Sequence, residues 1–530
     1  MVRSLFTHPR ILVPGAHAAV SGADAILVDG GRIVAVGPRQ ELRAAPGIDA
    51  EIALPGAAIV AGFHDAHIHS GSVARGFASL DLRGVASLDK ALAAVQVWAA
   101  AHPSDGWIIG GRYDSNRWPT GTPTRHDLDA VCPDRPVALA SLDGHSAWLN
   151  TAGLRAAGID RDTADPAGGD IFREADGREP AGVVRESVAD AVRELSEAWL
   201  APELPGLLLR AQEHLLSLGI TQITDLDEDA TRRAYESLHA DGRLVVRVSK
   251  GIPMADLAAA IAEGRRTGAG DSRLSVGPVK LFADGALGSH SAHMCVDFAD
   301  DPGNAGIEVL PLEQLVGLVR AANTAGIAVA THAIGDRANR LVLDAYEANV
   351  HVTRANGLRN RVEHAQHIDP SDVPRFAELG VVASLQPTHC ATDYLLAEQR
   401  IGTRKLANYA WRSLLDSGAA VAFGSDAPIE PVNPMLGVHA AVTRQDLAGR
   451  PPGGFEPEER ISVIEALEAY SAGSAYAAGL ENAVGRIAPT QLADFVALSA
   501  DPTSVPPAEL AGITVAATVV GGELAFAAGS

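Results

Sequence analysis

Eight short β-rich runs, separated by stretches of helical patterning, constrain this chain more than any other feature. They are AAIVAGFHDAH, ITQITDLD, LVVRVSKG, PVKLFADG, IAVATHAIGD, NRVEHAQ, VVASLQP and AVAFGSDAP, beginning near residue 57 and ending at Pro428. Alternation of strand and helix marks a parallel α/β architecture, and eight strands is the number that closes a (β/α)8 TIM-like barrel. WIIGGRY and VALASLDGH also read as strands. They fall within 77–205, a segment assigned to an insertion between the first and second barrel strands.

The two ends of the chain behave alike. AILVDGGRIVAVG reads as two strands around a turn that tolerates positive φ, and ADFVALSAD with ITVAATVVGGELAF repeats the pattern at the C-terminal side. Neither end holds enough strand to close a core alone, so 1–57 and 484–530 are expected to pair into one small composite β-sandwich domain. That leaves 58–483 for the barrel. A chain of 530 residues exceeds one ordinary core, which agrees with a large domain carrying accessory parts.

Composition narrows the partners. A formal charge of −22 disfavours nucleic acid and anionic membranes, because no strong basic patch offsets the repulsion. Cys132, Cys295 and Cys390 are too scattered for a disulfide framework or a CxxC pair. The N-terminal stretch MVRSLFTHPRILVPG lacks the apolar core of a signal peptide, and no uninterrupted apolar segment is long enough for a bilayer. A cytoplasmic protein acting on a small molecule is expected, with no nucleic acid or membrane partner. Homo-oligomerisation is left open.

Chemistry in such a barrel sits where strands end. The polar residues follow that rule: His67 and His69 end the first run, Lys280 lies in the fourth, His332 ends the fifth, His364 the sixth and Asp426 the eighth. His67 and His69, one residue apart, point their rings to the same face of a strand. A lone HxH is more often a hydrogen-bonded strand end than a metal site, so the other runs must supply the remaining ligands. In PVKLFADG, Val279, Leu281 and Ala283 form an apolar outer face, which directs Lys280 into the barrel. In AVAFGSDAP, Ala422 and Gly424 are small until the carboxylate of Asp426, as a crowded barrel axis requires. His64 shares its face with Ala66 and Ile68 and is expected to be structural.

These residues resemble the amidohydrolase superfamily of metal-dependent hydrolases. The strings DGHSAWLN, KLFADGALGS, HAIGDRA, VEHAQ and GSDAP resemble the family 3 amidohydrolases, a group that includes N-substituted formamide deformylase. The resemblance implies that His67, His69 and Asp426 hold a buried metal and that His332 and His364 hold a more exposed one. Lys280, carboxylated on its Nζ (N6), would bridge them. It implies one or two divalent ions, Zn²⁺ suiting the imidazole and carboxylate donors best, and Asp426 as the base that handles the proton of an attacking water. Gln386 and His389 are placed to hold a substrate carbonyl, His145 and Trp148 to close over the site, and Tyr113 to contact substrate; Asp65 and Asp336 are candidates for orienting ligands.

The implied reaction is hydrolysis of the C–N bond of a small amide, an N-substituted formamide or N-acyl amine. Two other readings stay open: a deaminase or cyclic-amide hydrolase on the same barrel, and a catalytically silent barrel that serves as a binding protein. Lys280 speaks against a one-metal deaminase, which needs no bridging anion. The complete ligand set speaks against the silent barrel, since buried histidine and lysine without use destabilise a core.

Overall fold

The structure, a computed structural model, describes residues 2–13, 22–104, 106–142, 144–166 and 168–529. Asp143, the first residue of DGHSAWLN, lies outside them, as do Met1, Pro14 and Gly15 of the N-terminal stretch. Two units divide the chain: 1–70 with 211–530, and 71–210.

The first unit is built on one eight-stranded sheet: Phe63–Ile68 (β1), Ile220–Asp225 (β2), Arg247–Pro253 (β3), Leu274–Phe282 (β4), Val329–Ala333 (β5), Arg361–His364 (β6), Val382–Leu385 (β7) and Val421–Phe423 (β8). Each strand pairs parallel with the next. At the end of β1 and just beyond β8 two backbone hydrogen bonds join the first and last strands, Asp426 N to His67 O at 2.7 Å and His69 N to Ala427 O at 2.9 Å. The (β/α)8 barrel is thereby closed. Most of these strands are buried along their whole length, because helices cover one face and the barrel interior fills the other, and their Val, Ile and Ala content suits both.

Both termini contribute to a β-sandwich in the same unit. Arg3–Thr7, Ala25–Asp29, Arg32–Gly37 and Ala50–Ala53 form one sheet; Ala58–Ala61, Phe495–Leu498, Val515–Val520 and Glu523–Ala527 form the other. Phe6, Ile26, Ile59, Phe495 and Val519 share the core between them, with the rings of Phe6 and Phe495 edge to face at 5.1 Å. Gly30 and Gly31 take φ of 58° and 77° in the turn joining two of the strands, a conformation that side chains disfavour. Ala58–Ala61, read above as part of the first barrel strand, instead pairs antiparallel with Phe495–Leu498. The chain changes sheets at Gly62, whose N–H bonds Asp494 O while the next N–H, of Phe63, bonds Gly219 O.

The second unit, 71–210, has a six-stranded sheet of its own, in the order Gly169–Arg173, Pro180–Glu186, Ser146–Leu149, Val137–Ser141, Ile108–Tyr113, Ser79–Asp81. The WIIGGRY and VALAS runs are its parallel neighbours. Tyr113, Trp118 and Trp148 pack together at its core, their ring centroids 5.4 to 6.0 Å apart. Among the described residues, no helix is long and apolar enough to cross a membrane.

Candidate active site

Asp426 stands at the centre of the barrel's C-terminal end. Its Oδ1 lies 3.3 Å from Nε2 of both His67 and His69, and its Oδ2 lies 3.6 Å from His389 Nε2. The local chain explains the reach. A Cβ on Gly424 would sit 2.5 Å from the His67 nitrogen, so only glycine lets β8 press this close to β1. Asp426 itself adopts φ of 57°, and the buried Asp65 carboxylate ties the two segments by accepting the N–H groups of His67 (3.1 Å) and Ser425 (3.0 Å). Asp65 therefore orients backbone around the site. Burial pushes its carboxyl up to about 6.

Three imidazoles are held alike. Nδ1 of His67 meets Glu363 Oε2 at 2.7 Å, Nδ1 of His69 meets Asp227 Oδ1 at 3.1 Å, and Nδ1 of His364 meets the side-chain oxygen Oε1 of Gln386 at 2.8 Å. An acceptor on Nδ1 places the proton there and leaves the lone pair on Nε2. His67 Nε2 is buried and has no hydrogen-bond partner. His364 joins the group because its φ of 72° breaks strand alternation, so that Glu363 and His364, adjacent in sequence, both serve the site.

His389 departs from this pattern. Its Nδ1 lies 3.0 Å from the amide nitrogen of Gln366, a donor, which leaves the proton of the neutral ring on the buried, unpartnered Nε2 facing Asp426. By position His389 belongs with His364 and Asp426, whose ligand atoms lie within 4.8 Å of one another as do those of His67, His69 and Asp426. By tautomer it is a hydrogen-bond donor.

Charge favours a cation here. Burial opposes charge on His69, but its hydrogen bonds to Asp227 and Asp426 outweigh that and push it up to about 10. Burial would raise Asp426, yet the charge of His67 and the close approach of both histidines hold it well below the usual carboxylate range. His332, 4.4 Å ring to ring from His364, is kept neutral: burial and the charge of Lys280 lower it to about 3. Its Nε2 lies 3.1 Å from the Gly285 carbonyl, outside both groups of converging ligand atoms. Lys280 is buried, its Nζ 5.0 Å from the centre of the Phe282 ring, and burial lowers it to about 8 against the opposing pull of Glu363 and Asp426.

Three Nε2 atoms whose rings are anchored through Nδ1, one of them orphaned in the interior, converge with a carboxylate, and the positive charge this surrounding favours on His69 is charge that a divalent metal would supply in place of a proton. His67, His69, His364 and Asp426 meet that description directly, with His332 and Lys280 beside them. Gln386, expected at a substrate carbonyl, is committed to orienting His364.

The candidates in the second unit have other roles. Trp148 is fully buried with its indole N–H donated to Thr124 O at 2.8 Å, and Tyr113 is 3 % exposed in the same core. Both fill that core, because a large apolar ring on an inward-facing strand position is what the sheet needs to bury. This corrects the substrate-contact role expected for them. His145 is exposed and pairs with Glu186 at 3.1 Å. Asp336 accepts the Cys295 N–H at 2.8 Å and so pins a loop.

Several residues of consequence escaped the sequence reading. Glu363 backs His67 and is in turn gripped by the buried Arg361, which also bonds the Ala66 carbonyl at 2.6 Å. Opposite charges two apart in the strand RVEH, just before a histidine, were the available signal. Asp227 backs His69, and the DLD ending the second run was the signal there. Asp284 accepts N–H groups from His293, Ile334 and Gly335 and locks the loops after β4 and β5 together; burial pushes it up to about 7.

The model of the Amidohydrolase family matches residues 50–526, and that of the imidazolonepropionase-like composite domain of bacteria matches residues 25–45. Protein LONG AFTER FAR-RED 3 of Arabidopsis thaliana is 34 % identical over 523 residues, covering 94 % of this chain and 88 % of its own. The N-substituted formamide deformylase of Arthrobacter pascens is 29 % identical over 523 residues, covering 96 % and 95 %. An uncharacterised metal-dependent hydrolase of Pyrococcus horikoshii superposes with a TM-score of 0.79 at 25 % identity, over 95 % of this chain and 99 % of that one. The chain belongs to the amidohydrolase family.

Proposed function

We propose that this chain is a metal-dependent hydrolase cleaving the C–N bond of a small amide, with an N-substituted formamide or N-acyl amine as the leading substrate class. The observation that carries the reading is the convergence of His67, His69 and His364, each with Nδ1 on an acceptor, upon an ionised Asp426. The names of the Arthrobacter and Pyrococcus relatives point the same way.

His67, His69 and Asp426 would hold one ion and His364 with His332 a second, Zn²⁺ suiting the donors. Lys280, lowered by burial to about 8, is neutral more often than a solvated lysine, as carboxylation requires: Nζ would bond the carbon of carbon dioxide with release of a proton, and the resulting anion would be a further ligand. A bound divalent ion supplies Lewis acidity toward a carbonyl and lowers the pKa of a water. Asp426 takes the proton of the attacking water and delivers it to the departing nitrogen. His389 Nε2–H faces the same space and donates to the carbonyl oxygen as negative charge develops on it.

Metal analysis of protein purified without chelator, joined to a release assay across formyl, acetyl and longer amides, tests this. Bound divalent metal with formate or acetate release is expected. Ammonia release from a heterocycle would favour the deaminase, and full metal loading without turnover the silent barrel.

A further inference from the structure

The two histidines of the HxH pair are each backed by a carboxylate, but the support behind His69 extends further. Asp227, whose side chain meets His69 Nδ1, has its own main chain held on both sides: its N–H donates to Asp225 Oδ1 at 3.1 Å and its carbonyl accepts from Lys250 Nζ. Lys250 Nζ also lies 2.9 Å from Asp225 Oδ1 and donates to the Gly251 carbonyl at 3.0 Å. The other oxygen of Asp225 accepts both the N–H (2.9 Å) and the hydroxyl of Ser70, the residue that follows His69. One fully buried carboxylate thus grips the peptide just after His69 and the peptide that carries the partner of His69.

A buried ion pair is no gain over well-packed apolar side chains, so stability alone does not account for Asp225 at the end of β2 and Lys250 in the middle of β3. We propose that they are positioning residues for His69. By fixing both sides of the His69–Asp227 contact they aim His69 Nε2 at Asp426, and so set how tightly the HxH position takes a divalent cation. The inference rests on the metal-site reading above.

The test is titration of Co²⁺ into chelator-stripped full-length protein, reading affinity together with the visible absorption bands, which report ligand geometry. Asp225→Asn with Lys250→Met removes the pair without stranding either charge. We expect Co²⁺ binding about 10- to 100-fold weaker, with altered bands. Co²⁺ affinity and spectrum matching the parent in a folded double variant overturn the inference, even if the melting temperature falls, because that is what a merely structural pair does. If circular dichroism shows the double variant unfolded, Ser70→Ala decides. It keeps the ion pair and loses the hydroxyl's grip on Asp225 along with its 2.7 Å contact to the Tyr235 hydroxyl; several-fold weaker binding with shifted bands supports the inference, and unchanged binding overturns it. A parent chain that takes up no Co²⁺ overturns this inference and the metal-site reading together, whereas a parent that binds beside an unaffected variant overturns this inference alone.

Discussion

His67 and His389 in the barrel, and Trp118 and Trp148 in the 71–210 unit, are all buried ring side chains carrying a polar nitrogen. The two tryptophans donate that nitrogen's proton to a backbone carbonyl, at 2.9 and 2.8 Å. The two histidines satisfy one nitrogen and leave the other without a hydrogen-bond partner, facing Asp426. Buried polar atoms are nearly always paired, so orphans that face a common point call for an explanation that satisfied atoms do not. Other buried atoms, Trp411 Nε1 and His64 Nδ1 among them, also lack a partner, so it is the shared aim of these two at one carboxylate that marks the site.

The comparison predicts that substitution at the barrel centre removes activity and spares the fold, whereas substitution among the tryptophans does the reverse. Asp426→Asn keeps the side chain's size while removing the base, and turnover should fall about 10²- to 10⁴-fold. Retained near-parental turnover in metal-loaded Asp426→Asn removes Asp426 from the mechanism. Trp148→Ala opens a cavity beneath the sheet of the second unit and should cost about 3–5 kcal/mol of that unit's stability, measured by urea unfolding with hydrogen exchange resolved over 71–210. A loss below about 1 kcal/mol contradicts the assignment to the core.

Much of this contrast was legible from one chain. The eight β-rich runs, the side on which Lys280 lies and the small residues leading to Asp426 all follow from strand parity, which is local. The supports behind the histidines are not local. Glu363 reaches His67 across 296 positions and Asp227 reaches His69 across 158, and a search for apolar periodicity passes over single charges inside a strand. Trp148 was misplaced for a related reason: DGHSAWLN reads the same whether its indole walls a pocket or fills a core. The change of sheet at Gly62 was hidden because the residues on both sides of it are apolar and buried.

Acid should separate the two units by a smaller margin. His64, buried against Thr224 Oγ1 at 3.0 Å, is lowered to about 3 by burial and then by the charge of Arg361, against an ordinary value of 6.5. The unfolded chain therefore binds a proton below pH 6.5 that the folded barrel refuses. Stability present above 6.5 is lost as pH falls toward 3, by about 1 kcal/mol over the first pH unit below 6.5 from this one histidine. His102, His126 and His145 in the second unit are exposed. Hydrogen exchange from pH 7 to 5 should show the barrel loosening before 71–210, and His64→Gln should flatten its own share of that decline. A barrel as resistant as the second unit, or an unchanged slope in His64→Gln, breaks this part of the comparison.

The finest test falls on Tyr113, where the two roles make opposite demands on one atom. A tyrosine that contacts substrate does so through its hydroxyl, so Tyr113→Phe would raise KM and leave stability nearly untouched. A tyrosine packed 5.4 Å from Trp118 and 5.7 Å from Trp148 acts through its ring, which phenylalanine keeps. We expect an unchanged KM and a stability loss of about 1 kcal/mol or less, the worth of one hydroxyl's hydrogen bonding. Measured side by side, KM from initial rates and stability from urea midpoints distinguish the roles. A several-fold rise in KM at constant urea midpoint would return Tyr113 to the substrate and show that satisfied packing is not, by itself, proof of a structural role.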